Sequence, residues 1–159
     1  MSKKRAVIGL GNTLRRDDGI GILVLESLLA LYKRRHIDYL DFGTASFDLL
    51  FKLQGYDEVL LIDAIDAGLA PGELSIFDLS RMRADKLQGA ISSHELNLKS
   101  IFELARKFKV KAKIYIAGIQ ARDVSHGEGL TQALAERKEA IVKEVSEFID
   151  ARFSVIGDR

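Results

Sequence analysis

The chain has 159 residues, 24 basic and 23 acidic, for a formal net charge of +1. This length suggests one domain, spanning 1–159, and a hydrophobic content of 47% is enough to bury a sizeable core. The charge balance argues against nucleic acid or an anionic membrane as the main partner, and the lack of cysteine excludes disulfides, thiolate zinc sites, iron–sulfur clusters and cysteine nucleophiles.

The basic start, Met1 to Arg5, precedes an apolar stretch that breaks at Gly9-Leu10-Gly11-Asn12. It is too short for a signal core or a membrane span, so a cytoplasmic protein is expected. Arg5 to Leu10 reads as a buried first strand, followed by a polar loop, Gly11 to Asp18. Ile20, Leu23, Val24, Leu28 and Leu31 recur at helical spacing and predict a helix from about Gly19 to Arg34. Ile37 to Asp41 is a short second strand, Gly43 to Ser46 a turn, and Phe47 to Leu53 a short helix. The continuous apolar run Val59 to Ile62, ending at Asp63, suits a central parallel strand covered on both faces.

Ala70-Pro71-Gly72 is a turn, and Glu73 to Leu79 alternates loosely, as an edge strand does. Arg81 to Gly89 reads as a loop. Ser92 begins a helix carrying Leu96, Ile101, Leu104 and Phe108, and Lys113 to Ala117 is the last central strand. After the polar loop Arg122 to Gly129, Thr131 caps a final helix with Leu134, Ile141, Val145 and Phe148 on one face. Strands alternating with helices predict a three-layer α/β fold, a twisted and mostly parallel sheet with helices on both faces and one antiparallel edge strand. Right-handed crossovers place the second and third strands on opposite sides of the first. The switch point then lies beside the C-terminal ends of the first and third strands, where such sheets bind ligands.

Three segments converge there. The first loop supplies Asp17 and Asp18, the third strand ends at Asp63 with Asp66 nearby, and the later helix begins near His94. Two carboxylates and an imidazole suit a divalent transition metal without specifying which. Each residue also has a plainer reading. Asp17 is best placed to stabilise an exposed helix N-terminus, and for Asp18 the two readings balance. Asp63 follows a buried run, and a buried carboxylate needs partners, which favours a ligand or a functional base. Ser92-Ser93-His94-Glu95 fits a capping box, making Glu95 structural. A lone histidine in that first turn is ordinarily unremarked, and its company singles out His94; His36 and His126 read as surface residues. Gly9-Leu10-Gly11-Asn12 lacks the third glycine of a dinucleotide fingerprint, since position 14 is Leu14, and neither a serine elbow nor a zinc-protease helix is present.

The run from Val7 to Gly21, with Gly9-Leu10-Gly11-Asn12 and Arg16-Asp17-Asp18-Gly19, resembles the N-terminal signature of the hydrogenase maturation endopeptidases. The likeness continues at Asp41-Phe42-Gly43-Thr44-Ala45, Leu61 to Ile65, Ile91 to Leu96, Gly118-Ile119 and Gly129-Leu130-Thr131. The resemblance implies an endopeptidase of aspartyl type that trims the C-terminal tail of a nickel–iron hydrogenase large-subunit precursor. It places the nickel-contacting positions at Asp18, Asp63 and His94, with Asp41 near the site. The nickel would arrive already inserted in the precursor, the enzyme's own site standing empty or holding a surrogate metal. It would either polarise the scissile carbonyl or only position the tail while a carboxylate such as Asp41 activates water. One departure stands out: Gln120-Ala121-Arg122 replaces the acidic residue and proline common in the family, in a loop placed to meet substrate. Two rival readings are a peptidyl-tRNA hydrolase-like enzyme and a non-catalytic nucleotide- or metal-binding module. The first lacks its histidine after the Gly-Leu-Gly-Asn turn, and the acidic loop would repel phosphate in the second.

Overall fold

The computed structural model describes residues 2–81 and 97–153. The apolar runs form the strands predicted for them. β1 (Arg5–Gly9) lies between β2 (Ile37–Asp41) and β3 (Glu58–Ile65), parallel to both. β5 (Lys113–Gln120) continues the parallel sheet beside β3, and β4 (Leu74–Asp78) closes the edge antiparallel to β5. The strand order is β2-β1-β3-β5-β4, with β2 and β3 on opposite sides of β1.

Every residue of β3 is buried. Because successive side chains alternate across a strand, Val59, Leu61 and Ile65 join one core while Leu60, Ile62 and Ala64 join the other. The first core is covered by α2 (Phe47–Leu53) and α3 (Leu98–Lys107) through Leu49, Leu53, Leu98 and Ile101. The second is covered by α1 (Ile20–Leu31) and α4 (Gln132–Phe153) through Val24, Leu28, Ile141 and Val145. This is the three-layer α/β arrangement, and Val7, Ile8, Leu60, Leu61, Ile114 and Ile116 are all buried in its central strands. No helix among the described residues is long and apolar enough to cross a membrane.

Five local expectations change. β3 does not end at Asp63 but runs on to Ile65, because β5 keeps pairing with it, Asp63 opposite Gly118 and Ile65 opposite Gln120. α1 stops at Leu31, which is exposed, so its buried stripe ends at Leu28. α3 begins at Leu98, capped by Asn97, whose Oδ1 accepts the Ser100 N–H at 2.9 Å. The predicted cap Ser92 lies outside the described residues, as do His94, Glu95 and Leu96. Phe108 sits exposed at the end of α3, and Phe102 fills the core instead. His36 is not a surface residue: it is half-buried, its Nε2 lying 2.9 Å from the Phe153 carbonyl oxygen, which ties the end of α4 to the start of β2. His126 is exposed, as predicted.

Candidate active site

β1 stops at Gly9 while its neighbour β3, and β5 beyond it, continue, so the sheet has a step at its C-terminal edge. The loop after β1 fills that step. Leu10 N–H donates to the Ile62 carbonyl at 2.9 Å, Gly11 N–H to that of Gly43 at 2.8 Å, and Phe42 N–H to that of Gly9 at 3.0 Å. Gly11 has φ +145°, and a Cβ there would lie 2.1 Å from the Asp18 carbonyl oxygen. The chain therefore turns back tightly, and a 3-10 turn, Arg16–Gly19, carries both aspartates over the strand ends. The glycines of this segment serve close packing of backbone on backbone, which accounts for them without a bound dinucleotide.

Asp18 and Asp63 are each 1% exposed. The Asp18 Oδ2 accepts the Asn12 N–H at 3.0 Å. A cavity of about 160 Å³ opens beside Asp18, with Ala64, Ile65 and Asp66 on one side and Ala121, Arg122, Asp123 and Val124 on the other. Among the described residues larger cavities, of about 490, 510 and 270 Å³, lie away from these carboxylates, the first under α3, the second at the N-terminal ends of β1 and β2 and the third beside β4. On the cavity wall, hydrogen bonds from Ser125 and, more weakly, the Arg16 guanidinium hold the Asp123 carboxyl below its usual range.

Asp41 stands apart from Asp18 and Asp63. It is exposed at the end of β2, with Oδ1 accepting the Gly43 N–H at 2.9 Å. Both Asp41 and Ile62 pair with Gly9, from opposite sides. Their Cα atoms are thus two strand spacings apart, about 10 Å. By the same register Asp41 follows the face of Ile62, and Asp63 takes the other face. Among the described residues no three acidic or histidine side chains gather as a metal site. The third donor expected, His94, lies outside them. The two buried carboxylates fit a divalent cation by donor chemistry, since hard, anionic oxygens suit such an ion.

The family model for hydrogenase maturation proteases matches residues 22–148. The chain belongs to that family. The Escherichia coli hydrogenase maturating endopeptidase HybD is 26% identical, with a TM-score of 0.78 over 93% of each chain. The [NiFe] hydrogenase maturation protease HycI from Thermococcus kodakarensis is 29% identical, with a TM-score of 0.72 over 93% of this chain and 94% of its own. In sequence, the hydrogenase 2 maturation protease of Escherichia coli K12 is 28% identical over 142 residues, 87% of this chain and 86% of its own length. The peptidyl-tRNA hydrolase and nucleotide-module readings give way to a peptidase of this family.

Two features of this maturation protease were not foreseen from its residues. Asp17 does not sit at an exposed helix end; it is 0% exposed and faces the loop between β5 and α4. A 3-10 turn has three residues per turn, so neighbouring side chains diverge by about 120°, and Asp17 and Asp18 point to different partners. The Thr131 hydroxyl bonds both oxygens of Asp17, at 3.0 and 2.8 Å, so its side chain is committed to this aspartate and not to the helix cap expected of it. The second feature is Gln120, 5% exposed. Its Oε1 accepts the N–H groups of Ala67 and Leu69 at 2.8 and 3.3 Å, and its Nε2 donates to Asp66 and to the Ala121 carbonyl. The departure from the family pattern at this position is thus a bracket that joins the end of β5 to the loop after β3. Gln120→Leu is expected to lower stability by about 1–3 kcal/mol through the amides it strips of partners, measured by urea denaturation.

Proposed function

We propose that this maturation protease removes a C-terminal extension from the precursor of a nickel–iron hydrogenase large subunit, after nickel insertion and in the cytoplasm. The burial of Asp18 on the cavity wall and of Asp63 next to the wall residue Ala64, in a chain of this family, carries the reading. The names of its relatives support a hydrogenase precursor as substrate. In this reading nickel belongs to the substrate. Asp18, Asp63 and His94 receive it from the precursor, which seats the tail against the cavity. In this reading the nucleophile is water. It adds to the scissile carbonyl, and the amide nitrogen leaves with a proton as the new amino terminus. Asp41, exposed on the same edge of the sheet, accepts the proton of the attacking water and delivers it to the leaving amide nitrogen.

Three donors leave coordination positions of a nickel ion open to groups of the precursor. The site is then complete only when a loaded precursor docks, which ties cleavage to nickel insertion. Nickel-loaded and nickel-free precursor, incubated with the protein in metal-stripped buffer and weighed intact, should differ: only the loaded form loses its tail. Efficient trimming of nickel-free precursor would overturn the proposal, and activity that follows added free nickel alone would mark an ordinary metalloprotease.

A further inference from the structure

The Asp17 carboxylate, wholly buried, is surrounded by donors from a single distant loop. Its Oδ2 accepts the N–H groups of Arg122 and Asp123 at 2.9 and 3.1 Å and the Thr131 hydroxyl at 2.8 Å. Its Oδ1 accepts the Thr131 N–H at 2.8 Å. Around this centre the two loops are zipped by backbone bonds: Asp17 N–H to the Asp123 carbonyl, Arg16 N–H to that of Gly127, and Gly127 N–H to that of Leu14. Arg16 is held at φ +45° within the clasp, a conformation a non-glycine residue keeps only where its surroundings enforce it.

Asp17 does not line the cavity. Its neighbour Asp18 does, and so do Arg122 and Asp123, whose amides Asp17 holds. We propose that Asp17, with Thr131, is a positioning residue of the peptidase reaction: it sets the Asp18 carboxylate and the facing Arg122–Asp123 wall at a fixed separation. This rests on the reading of Asp18 as a nickel-receiving residue. A carboxylate is needed because every neighbour is a donor. The amide of Asn would turn an NH2 group toward Arg122 and Asp123 in one orientation and toward Thr131 in the other.

Asp17→Asn therefore risks the fold, and Thr131 offers the cleaner test. Thr131→Val removes one hydroxyl at nearly constant shape, and Thr131→Ser keeps it. The Asn12 amide resonance reports on Asp18, whose Oδ2 it bonds. At a temperature where circular dichroism shows each variant folded, Thr131→Val should shift the Asn12 amide. It should also lower kcat for nickel-loaded precursor by at least about 10-fold, as small misplacements of reacting groups do. Thr131→Ser should restore both. A folded Thr131→Val protein with the parent's Asn12 resonance and kcat would overturn the proposal. Failure of the parent itself to trim precursor would sink the peptidase reading instead, while the Asn12 shift would still report whether the clasp reaches Asp18.

Discussion

Gly21→Ala should lower the melting temperature by roughly 6–12 °C, the equivalent of about 3 kcal/mol in a chain of this size. The first turn of α1 rests directly on the step of the sheet. A Cβ at Gly21 would lie 2.2 Å from the Leu10 carbonyl oxygen and 2.3 Å from that of Ile62. Both are backbone atoms, one just after β1 and the other in β3 beside Asp63. Neither can rotate away as a side chain would. Alanine improves intrinsic helix propensity by about 1 kcal/mol over glycine, so in an unpacked helix the same change would stabilise. The sign of the result therefore reports the packing. Gly43→Ala is the contrast: its φ of +55° makes alanine unfavourable, but nothing lies within 4 Å of the added atom. That change should cost only about 1–2 kcal/mol. A Gly21→Ala protein that melts with the parent would mean that α1 is not seated on Leu10 and Ile62.

This contact also shows what a reader of the residues can and cannot see. The strands were legible because burial on both faces writes itself as an unbroken apolar run: Val59 to Ile62 needs no alignment to be read as central. The placement of β2 and β3 on opposite sides of β1 followed from handedness. The ends were less legible. β3 continues through Asp63 because its partner β5 continues, and a strand's length is set by its neighbour as much as by its own residues. The meeting of Asp18 with the edge of β3 was legible from topology alone. The partners of Asp17 were not. A carboxylate ahead of a helix has a local explanation in the helix dipole, and that explanation hid a set of donors more than a hundred residues away. Gln120 was noticed only as a departure from a pattern. Its role as a bracket depends on where the Ala67 and Leu69 amides come to rest, which no local rule predicts.

Asp18→Asn and Asp63→Asn should each reduce trimming of nickel-loaded precursor by more than about 100-fold, the upper end of what is lost when even an outer partner of a metal ligand is removed. Asn keeps the size of the side chain and an oxygen that can still accept the Asn12 N–H from position 18. What it loses is the negative charge. In the proposed reading that charge, buried to 1% exposure at both positions, is present to meet a cation brought by the substrate. Because Asn keeps the shape of the side chain, both variants should stay folded at the temperature of the assay even as trimming collapses. A loss of activity with no loss of fold is the signature of a residue kept for function at the expense of stability. Calorimetry with cadmium, a surrogate for nickel, gives a second readout: both variants, and His94→Ala, should bind it far more weakly than the parent. Asp41→Asn should separate from them, trimming slowly while binding cadmium normally, since Asp41 sits about two strand spacings from Ile62 and acts on water in this reading. Asp63→Asn protein that trims precursor and binds cadmium like the parent would remove Asp63 from the site, and with it the placement of nickel at this edge of the sheet.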